Sequence, residues 1–147
     1  MGVGDIKGEE AIVQELTAGT AVAKGEVVHL ESDGKWDPVT AGDTGKFAVA
    51  IDAAAADGAT FRAVVWGRVE VTATAATIAA WQNVVAGSTG KIAKAVDMVA
   101  LDAPASYAEA GVQTELDKIQ DPRIFVGTVT EAFGSGATGT LWVGLVA

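Results

Sequence analysis

The sequence contains no cysteine, and this absence excludes several kinds of chemistry at once. Disulfide bridges, thiolate metal sites and cysteine nucleophiles all require that side chain. The chain does not need such cross-links to fold, because its 147 residues are enough for one domain with an arm or an insertion. A chain of this length buries roughly 70% of the surface that it exposes when unfolded.

Basic residues are scarce. Ten Lys and Arg stand against nineteen Asp and Glu, which gives the chain a net charge of −9. Phosphate backbones and anionic lipid headgroups are bound by clusters of Lys and Arg. The sequence therefore predicts neither a nucleic-acid partner nor a membrane partner.

Long apolar runs are also missing. The longest uncharged stretch, residues 71–90, is interrupted by Thr, Gln, Asn and Ser, so it predicts strands and turns and no membrane span. The first ten residues contain no apolar segment of the kind found in secretory leaders. The mean hydropathy is nevertheless +0.32. Two explanations stay open: part of the surface lies in subunit contacts, or alanine and valine are simply abundant.

Histidine occurs once, as His29 in a Val-Val-His-Leu strand pattern. A catalytic triad or a histidine metal site needs partner residues that the neighbouring sequence does not offer, so we expect His29 on a solvent or interface face. The acidic residues Asp33, Asp37 and Asp43 lack the every-second-position spacing of a calcium loop and predict a solvated turn.

Gly45-Lys46 and Gly90-Lys91, each at the end of a Gly-x-Thr-Gly turn, invite comparison with a phosphate-binding loop. That loop requires a further glycine upstream and Ser or Thr directly after the lysine. The upstream positions are Thr40 and Val85, and the residues after the lysines are Phe47 and Ile92. The sequence therefore predicts no catalytic residue, no cofactor and no metal, and a protein that is not an enzyme.

Alternating residues predict a mainly β fold. The stretch RAVVWGRVEV at 62–71 is typical of a strand in which successive side chains point to opposite faces. The face predicted to lie in the core contains Ala63, Val65, Gly67, Val69 and Val71. The other face, which suits a half-covered surface, contains Arg62, Val64, Trp66, Arg68, Glu70 and Thr72. The C-terminal GTLWVGLVA is apolar on both faces and predicts a central strand with Trp142 in the core.

The chain divides into an arm, residues 1–19, and a β-rich domain, residues 20–147. We expect residues 1–16 to be disordered in the free protein and to become ordered on a partner, because terminal segments are poorly ordered unless something ties them down. The apolar residues Ile12, Val13 and Leu16 of the arm are expected to dock on that partner.

Residues 97–122 predict an insertion that contains one short helix. Ser106 and Glu109 fit a capping box, in which each side chain bonds to a free N–H group at the start of a helix. Apolar residues follow at helical spacing, and Asp121-Pro122 ends the pattern.

Most of the chain, about 24–96 and 124–146, carries a family resemblance. It lies in KGEVVHLESDGKWDPVTAGDTGKFAVAIDAAAADGATFRAVVWGRVEV, NVVAGSTGKIAKA and IFVGTVTEAFGSGATGTLWVGL. The Gly-Glu strand phrase, the WDPVTAGD turn and the closing VGTVTEAFGSGATGTLWV resemble the small decoration, or cement, proteins of tailed-phage capsids of the lambda type. The long arm and the 97–122 insertion depart from that pattern.

The resemblance implies a small β-barrel or β-tulip-like domain and a structural virion protein. Such proteins bind the outer surface of the assembled capsid as homotrimers, at threefold or quasi-threefold positions, and stabilise it. The implied partners are the major capsid protein and further copies of the chain. The implied location is the outer capsid surface, after synthesis in the host cytoplasm.

We expect the contacts with the capsid or with sister subunits to come from the arm and from the mixed face of the 62–71 strand. Trp66 in the core, flanked by solvated arginines, is the alternative for that strand. The predicted contact residues are Ile12, Val13, Leu16, Arg62, Trp66 and Arg68.

Two other functions stay open. Exposed tryptophans are typical of stacking sites, so a small carbohydrate- or ligand-binding β module of the head-fibre or adhesion type is one alternative. The stretch KGEVVHLESDGK resembles the hairpin of lipoyl and biotinyl carrier domains, with Lys35 as the modified residue. An inserted glycine before Lys35 and Trp36 after it depart from that hairpin.

Overall fold

A computed structural model describes residues 2–7, 10–74, 77–95 and 125–144. The described residues form nine β-strands. These are β1 Ile12–Thr17, β2 Val27–Leu30, β3 Trp36–Pro38, β4 Phe47–Ala50, β5 Thr60–Thr72, β6 Asn83–Ala86, β7 Ile92–Lys94, β8 Phe125–Val129 and β9 Thr138–Val143. The whole 97–122 insertion, with its predicted helix, lies outside the described residues.

The strands form one curled antiparallel sheet that resembles half of a small barrel, and the mainly β prediction is confirmed. Its order is β3-β2-β4-β5-β9-β8-β6-β7, and β1 pairs with β5 off this path. β9 lies between β5 and β8, as a central strand should. Within the described part of the chain, no helix is long and apolar enough to cross a bilayer.

β5 is the longest strand and organises the rest. One of its edges pairs first with β4 and then with β9, and the other edge pairs with β1. Both faces of β2 and β4 are buried, which explains their almost continuous apolar sequences. One core cluster contains Val27, Val49 and Val64, and a second contains Val28, Ala48 and Ala63.

A bulge interrupts β5 and corrects the predicted faces. Ile12 of β1 lies opposite Trp66, but the next residue, Val13, lies opposite Val64, so Val65 is the extra residue. An extra residue shifts the alternation of side chains by one position. Val64 therefore lies in the same core cluster as Val69, whereas strict alternation placed these two residues on opposite faces.

Gly67 follows the bulge and lets the N-terminal segment cross β5. Its φ of 129° is one that side chains with a Cβ rarely adopt. A Cβ built at Gly67 would lie 2.8 Å from the Cα of Ala11 and 3.0 Å from the carbonyl oxygen of Glu10. The close passage of Glu10 and Ala11 over β5 therefore requires glycine.

Replacing Gly67 by Ala is expected to lower the free energy of unfolding by more than about 1 kcal/mol, because backbone strain and steric overlap act together. Gly58→Ala is the matched control. Gly58 also has a positive φ, 82°, but a Cβ there would meet nothing within 4 Å. Urea unfolding of the two variants measures the difference, and equal losses would show that the crossing of the arm does not depend on Gly67.

The N-terminal segment is a paired part of the sheet, so the expectation of a disordered arm is wrong for residues 2–7 and 10–16. The N–H of Gly4 donates to the Glu70 carbonyl at 2.7 Å, and the N–H of Lys7 donates to the Arg68 carbonyl at 2.9 Å. Ile6 forms an antiparallel bridge with Val69. These bonds continue the β1 pairing along the second half of β5.

Candidate functional site

An aromatic and cationic cluster lies where β1, β5 and β9 meet. The rings of Trp66 and Trp142 contact edge to face, with centroids 5.4 Å apart and an interplanar angle of 71°. The guanidinium carbon of Arg68 lies 5.8 Å from the Trp142 ring centroid. Edge-to-face stacking and cation–π attraction both favour this arrangement.

Strand register explains the cluster. Arg68 on β5 lies directly opposite Trp142 on β9, and Ile12 on β1 lies directly opposite Trp66. Directly opposed residues in an antiparallel pair project from the same face of the sheet. We call Ile12, Trp66, Arg68 and Trp142 the tryptophan surface.

The tryptophan surface is open to solvent in the single chain. Ile12 is 54% exposed, Arg68 is exposed, and both tryptophans are half-buried. No carboxylate among the described residues pairs with Arg68. The buried indole N–H of Trp142 also has no acceptor there. Trp and Arg are the side chains that most often dominate binding energy at protein interfaces.

Arg62, the other arginine predicted to make contacts, is engaged within the chain. Its Nε donates to Asp52 Oδ2 at 2.7 Å, and its Nη2 donates to Asp52 Oδ1 at 3.1 Å. This paired bonding holds the pKa of Asp52 below its ordinary value. The stabilisation from the ion pair is therefore present above about pH 4 and is lost as the pH falls through the lowered pKa of the folded state.

The arm residues separate into exposed and buried ones. Val13 is 38% exposed, whereas Leu16 is 8% exposed and packs in the second core cluster. The structure therefore brings Ile12, Trp66 and Arg68 together. Val13 follows Ile12 in β1 and lies opposite Val64, and Leu16 is buried and not part of the free surface.

An open groove lies beside the tryptophan surface, with a volume of about 530 Å³. We call it the β1–β8 groove, since Gln14 of β1 and Phe125 of β8 line it. Half-buried apolar side chains form much of its wall: Leu30, Trp36, Val65 and Phe125. Gly144 connects the two features, because it lines the groove and a Cβ there would lie 2.9 Å from Trp66 Cδ1.

His29 was expected on a solvent or interface face, but it is buried within the single chain, with 8% exposure. Its Nε2 lies 3.0 Å from Glu31 Oε1 and 3.2 Å from Asp43 Oδ2. β3 and β4 pair with His29 from both sides. Across the described ranges, no group of three or more His, Asp or Glu side chains is arranged to hold a metal ion.

Lys35, the residue that the carrier interpretation would modify, lies at the turn between β2 and β3. Its Nζ donates to Asp57 Oδ1 at 2.6 Å, and this bond raises the pKa of Lys35. The amine is thus held in an ion pair in its cationic form.

Sequence reasoning missed one feature of the tryptophan surface and one exposed side chain outside it. Trp142 was predicted to lie in the core, and only the β5–β9 register shows that it stacks on Trp66. Trp81 lies at a turn, but nothing in the sequence indicated that it would be 62% exposed.

A scan against protein-family models and a search of curated proteins both find no match to the chain.

Proposed function

We propose that the chain is a structural virion protein that binds the outer surface of an assembled phage capsid and stabilises it, as a homotrimer at threefold or quasi-threefold positions. The observation that carries the proposal is the tryptophan surface, which exposes apolar and aromatic groups around Arg68, an arginine that pairs with no carboxylate of the described residues. The resemblance of the sequence phrases to capsid decoration proteins supports it.

The charge of the protein favours the outside of a capsid. A net charge of −9 would repel packaged nucleic acid, whereas an outer protein surface imposes no such penalty. On such a surface, Arg68 would find a carboxylate and Ile12 and Trp66 would be removed from water. The stabilised state is the assembled shell, because the capsid sites that a trimer would contact are brought together only in the shell.

Binding of this kind stabilises the shell by mass action. A ligand that binds the assembled shell and not the separated subunits shifts the equilibrium towards assembly. A trimer presents three identical surfaces, so several individually weak contacts act together through a high effective concentration. No chemical step is required.

The test is co-sedimentation of the purified protein with empty shells and with unassembled subunits of the major capsid protein from the same virus. We expect binding to the shells and none to the subunits. Arg68→Gln should weaken shell binding about tenfold or more, as expected for an interface arginine. Arg62→Gln removes the same charge from a residue already paired with Asp52 and should have a much smaller effect.

Failure of the wild-type protein to sediment with shells would overturn the proposed function. Equal losses of shell binding for Arg68→Gln and Arg62→Gln would show that the protein binds shells through a surface other than the tryptophan surface. Circular dichroism of both variants checks that neither change has altered the fold.

A further inference from the structure

Trp81 has a backbone conformation that its side chain does not favour. Its φ is 64°, in the left-handed region that glycine and asparagine enter with less strain. At 62% it is also the most exposed of the large apolar side chains in the described part of the chain. The single chain gains little burial in return, and strain of this kind is concentrated at functional positions.

The loop that carries Trp81 is held firmly against the neighbouring segment. The Trp81 N–H donates to the Val129 carbonyl at 2.9 Å, and the Ala79 N–H donates to Gln82 Oε1 at 3.0 Å. Ile78, in the same loop, forms a bridge with Phe133. The indole is therefore presented on a preformed support, which lowers the entropic cost of binding through it.

The β1–β8 groove is an apolar receptor of suitable size on the same chain. Its volume of about 530 Å³ lies within the range of small-molecule sites, about 300–1,000 Å³, so it has room for one indole ring. Leu30, Val65 and Phe125 would cover the faces of such a ring. Aromatic side chains bury more apolar area than any others, and a groove of this kind is where they bind best.

Charge favours the same pairing. Lys46 is the charged residue that lines the groove. Residues 77–82 are uncharged, and the segment 129–133 that pairs with them carries one charge, on Glu131. A cationic groove and an acidic loop attract each other, although the net charge of −9 on every copy opposes association at low salt.

The geometry points to a self-association contact in which Trp81 of one copy inserts into the β1–β8 groove of a second copy. The contact is heterologous, since it joins two different surfaces, and repeating it produces a closed ring or a filament. The inference rests on the proposed function, because it names the contact through which the subunits of a decoration oligomer would associate.

Light scattering at about 0.15 M salt, where surface repulsion is screened, tests the contact. The wild-type protein is expected to show a mass of at least twice the 14.8 kDa of a single chain. Trp81→Asn keeps a residue suited to a positive φ and should weaken association about 30-fold, as expected for an anchoring tryptophan. Thr89→Asn is the matched control, since Thr89 is also exposed with a positive φ of 54°.

A mixing experiment distinguishes this contact from any symmetric one. Gln14→Trp places a large side chain at an exposed position of the groove wall and should block it without disturbing the core. The Gln14→Trp variant keeps Trp81, and the Trp81→Asn variant keeps the groove. Each alone should be monomeric, and an equal mixture should form dimers of about twice 14.8 kDa that extend no further.

A monomeric wild-type protein, an unchanged mass for Trp81→Asn, or a mixture that stays monomeric would each overturn the inference. Shell co-sedimentation separates this failure from that of the proposed function. If the Trp81→Asn variant stays oligomeric while the wild-type protein binds shells, only the contact between Trp81 and the β1–β8 groove is rejected. A wild type that associates through Trp81 but ignores shells rejects only the capsid function.

Discussion

Replacing Lys7 by Met is expected to lower the free energy of unfolding by roughly 3 kcal/mol, the loss typical when one partner of a buried ion pair is removed. Lys7 Nζ lies 3.2 Å from Glu70 Oε2, and the two side chains are 20% and 11% exposed. Methionine keeps much of the length and apolar stem of lysine. The change therefore leaves the Glu70 carboxylate buried without its counter-ion, and urea unfolding measures the result.

A double-mutant cycle shows whether the loss comes from the unpaired carboxylate. Glu70→Gln in the Lys7→Met background removes the buried charge, so it should recover most of the stability. Lys24→Met is the matched control, since Lys24 pairs with Asp5 at 2.7 Å but the two side chains are 51% and 32% exposed. An exposed pair contributes at most about 1 kcal/mol. A Lys7→Met loss no larger than that of Lys24→Met would contradict the assignment.

The same ion pair changes what removal of the arm should do. A disordered arm could be deleted without unfolding the domain. In the structure the segment 2–7 provides the counter-ion of Glu70 and backbone bonds to the second half of β5. Deletion is therefore expected to lower stability as well as any binding, and the two effects must be measured separately.

The arm could not have been placed from the sequence because its order depends on distant residues. Ile6 pairs with Val69, and Gly4 packs against Gly25 and Ala50, all far away along the chain. Locally, residues 2–7 combine glycines with charges and resemble a flexible terminus. Only the free edge of the second half of β5 and the close approach that Gly4 permits turn residues 2–7 into a segment paired with the sheet.

The local alternation of apolar and polar residues identified β5 as a strand but did not predict correctly which side chains share a face. The 62–71 pattern identified the strand, and Arg68 and Trp66 do lie in the tryptophan surface. Alternation fails at Val65, where the bulge shifts the later residues by one position. Gly67 was the one sign of irregularity in that stretch, but a glycine alone does not tell whether the side chains change faces.

The candidate site depends on register, which composition does not encode. Ile12, Trp66 and Arg68 were expected to make contacts as members of two separate segments. The pairing of β1 with β5 brings Ile12 opposite Trp66, and the pairing of β5 with β9 adds Trp142. Trp142 looked like a core residue because its neighbours in sequence, Leu141 and Val143, are apolar.

Replacing Gly127 by Ala is expected to lower the free energy of unfolding by about 3 kcal/mol or more and to disturb the tryptophan surface. Gly127 lies in β8 opposite Val143 of β9. A Cβ there would overlap the carbonyl oxygen of Trp142 and lie 3.1 Å from Val143 Cα. Both are backbone atoms that cannot rotate away, so β9 must move and carry Trp142 with it.

Near-ultraviolet circular dichroism reports this movement, since the signal of the stacked Trp66 and Trp142 rings depends on their geometry. Gly134→Ala is the matched control, because a Cβ there would make an ordinary contact at 3.8 Å with Ala137. It should be neutral or stabilise by about 0.4–1 kcal/mol through the unfolded chain. A Gly127→Ala variant with normal stability and an unchanged tryptophan signal would show that the close packing of β8 on β9 does not fix the tryptophan surface.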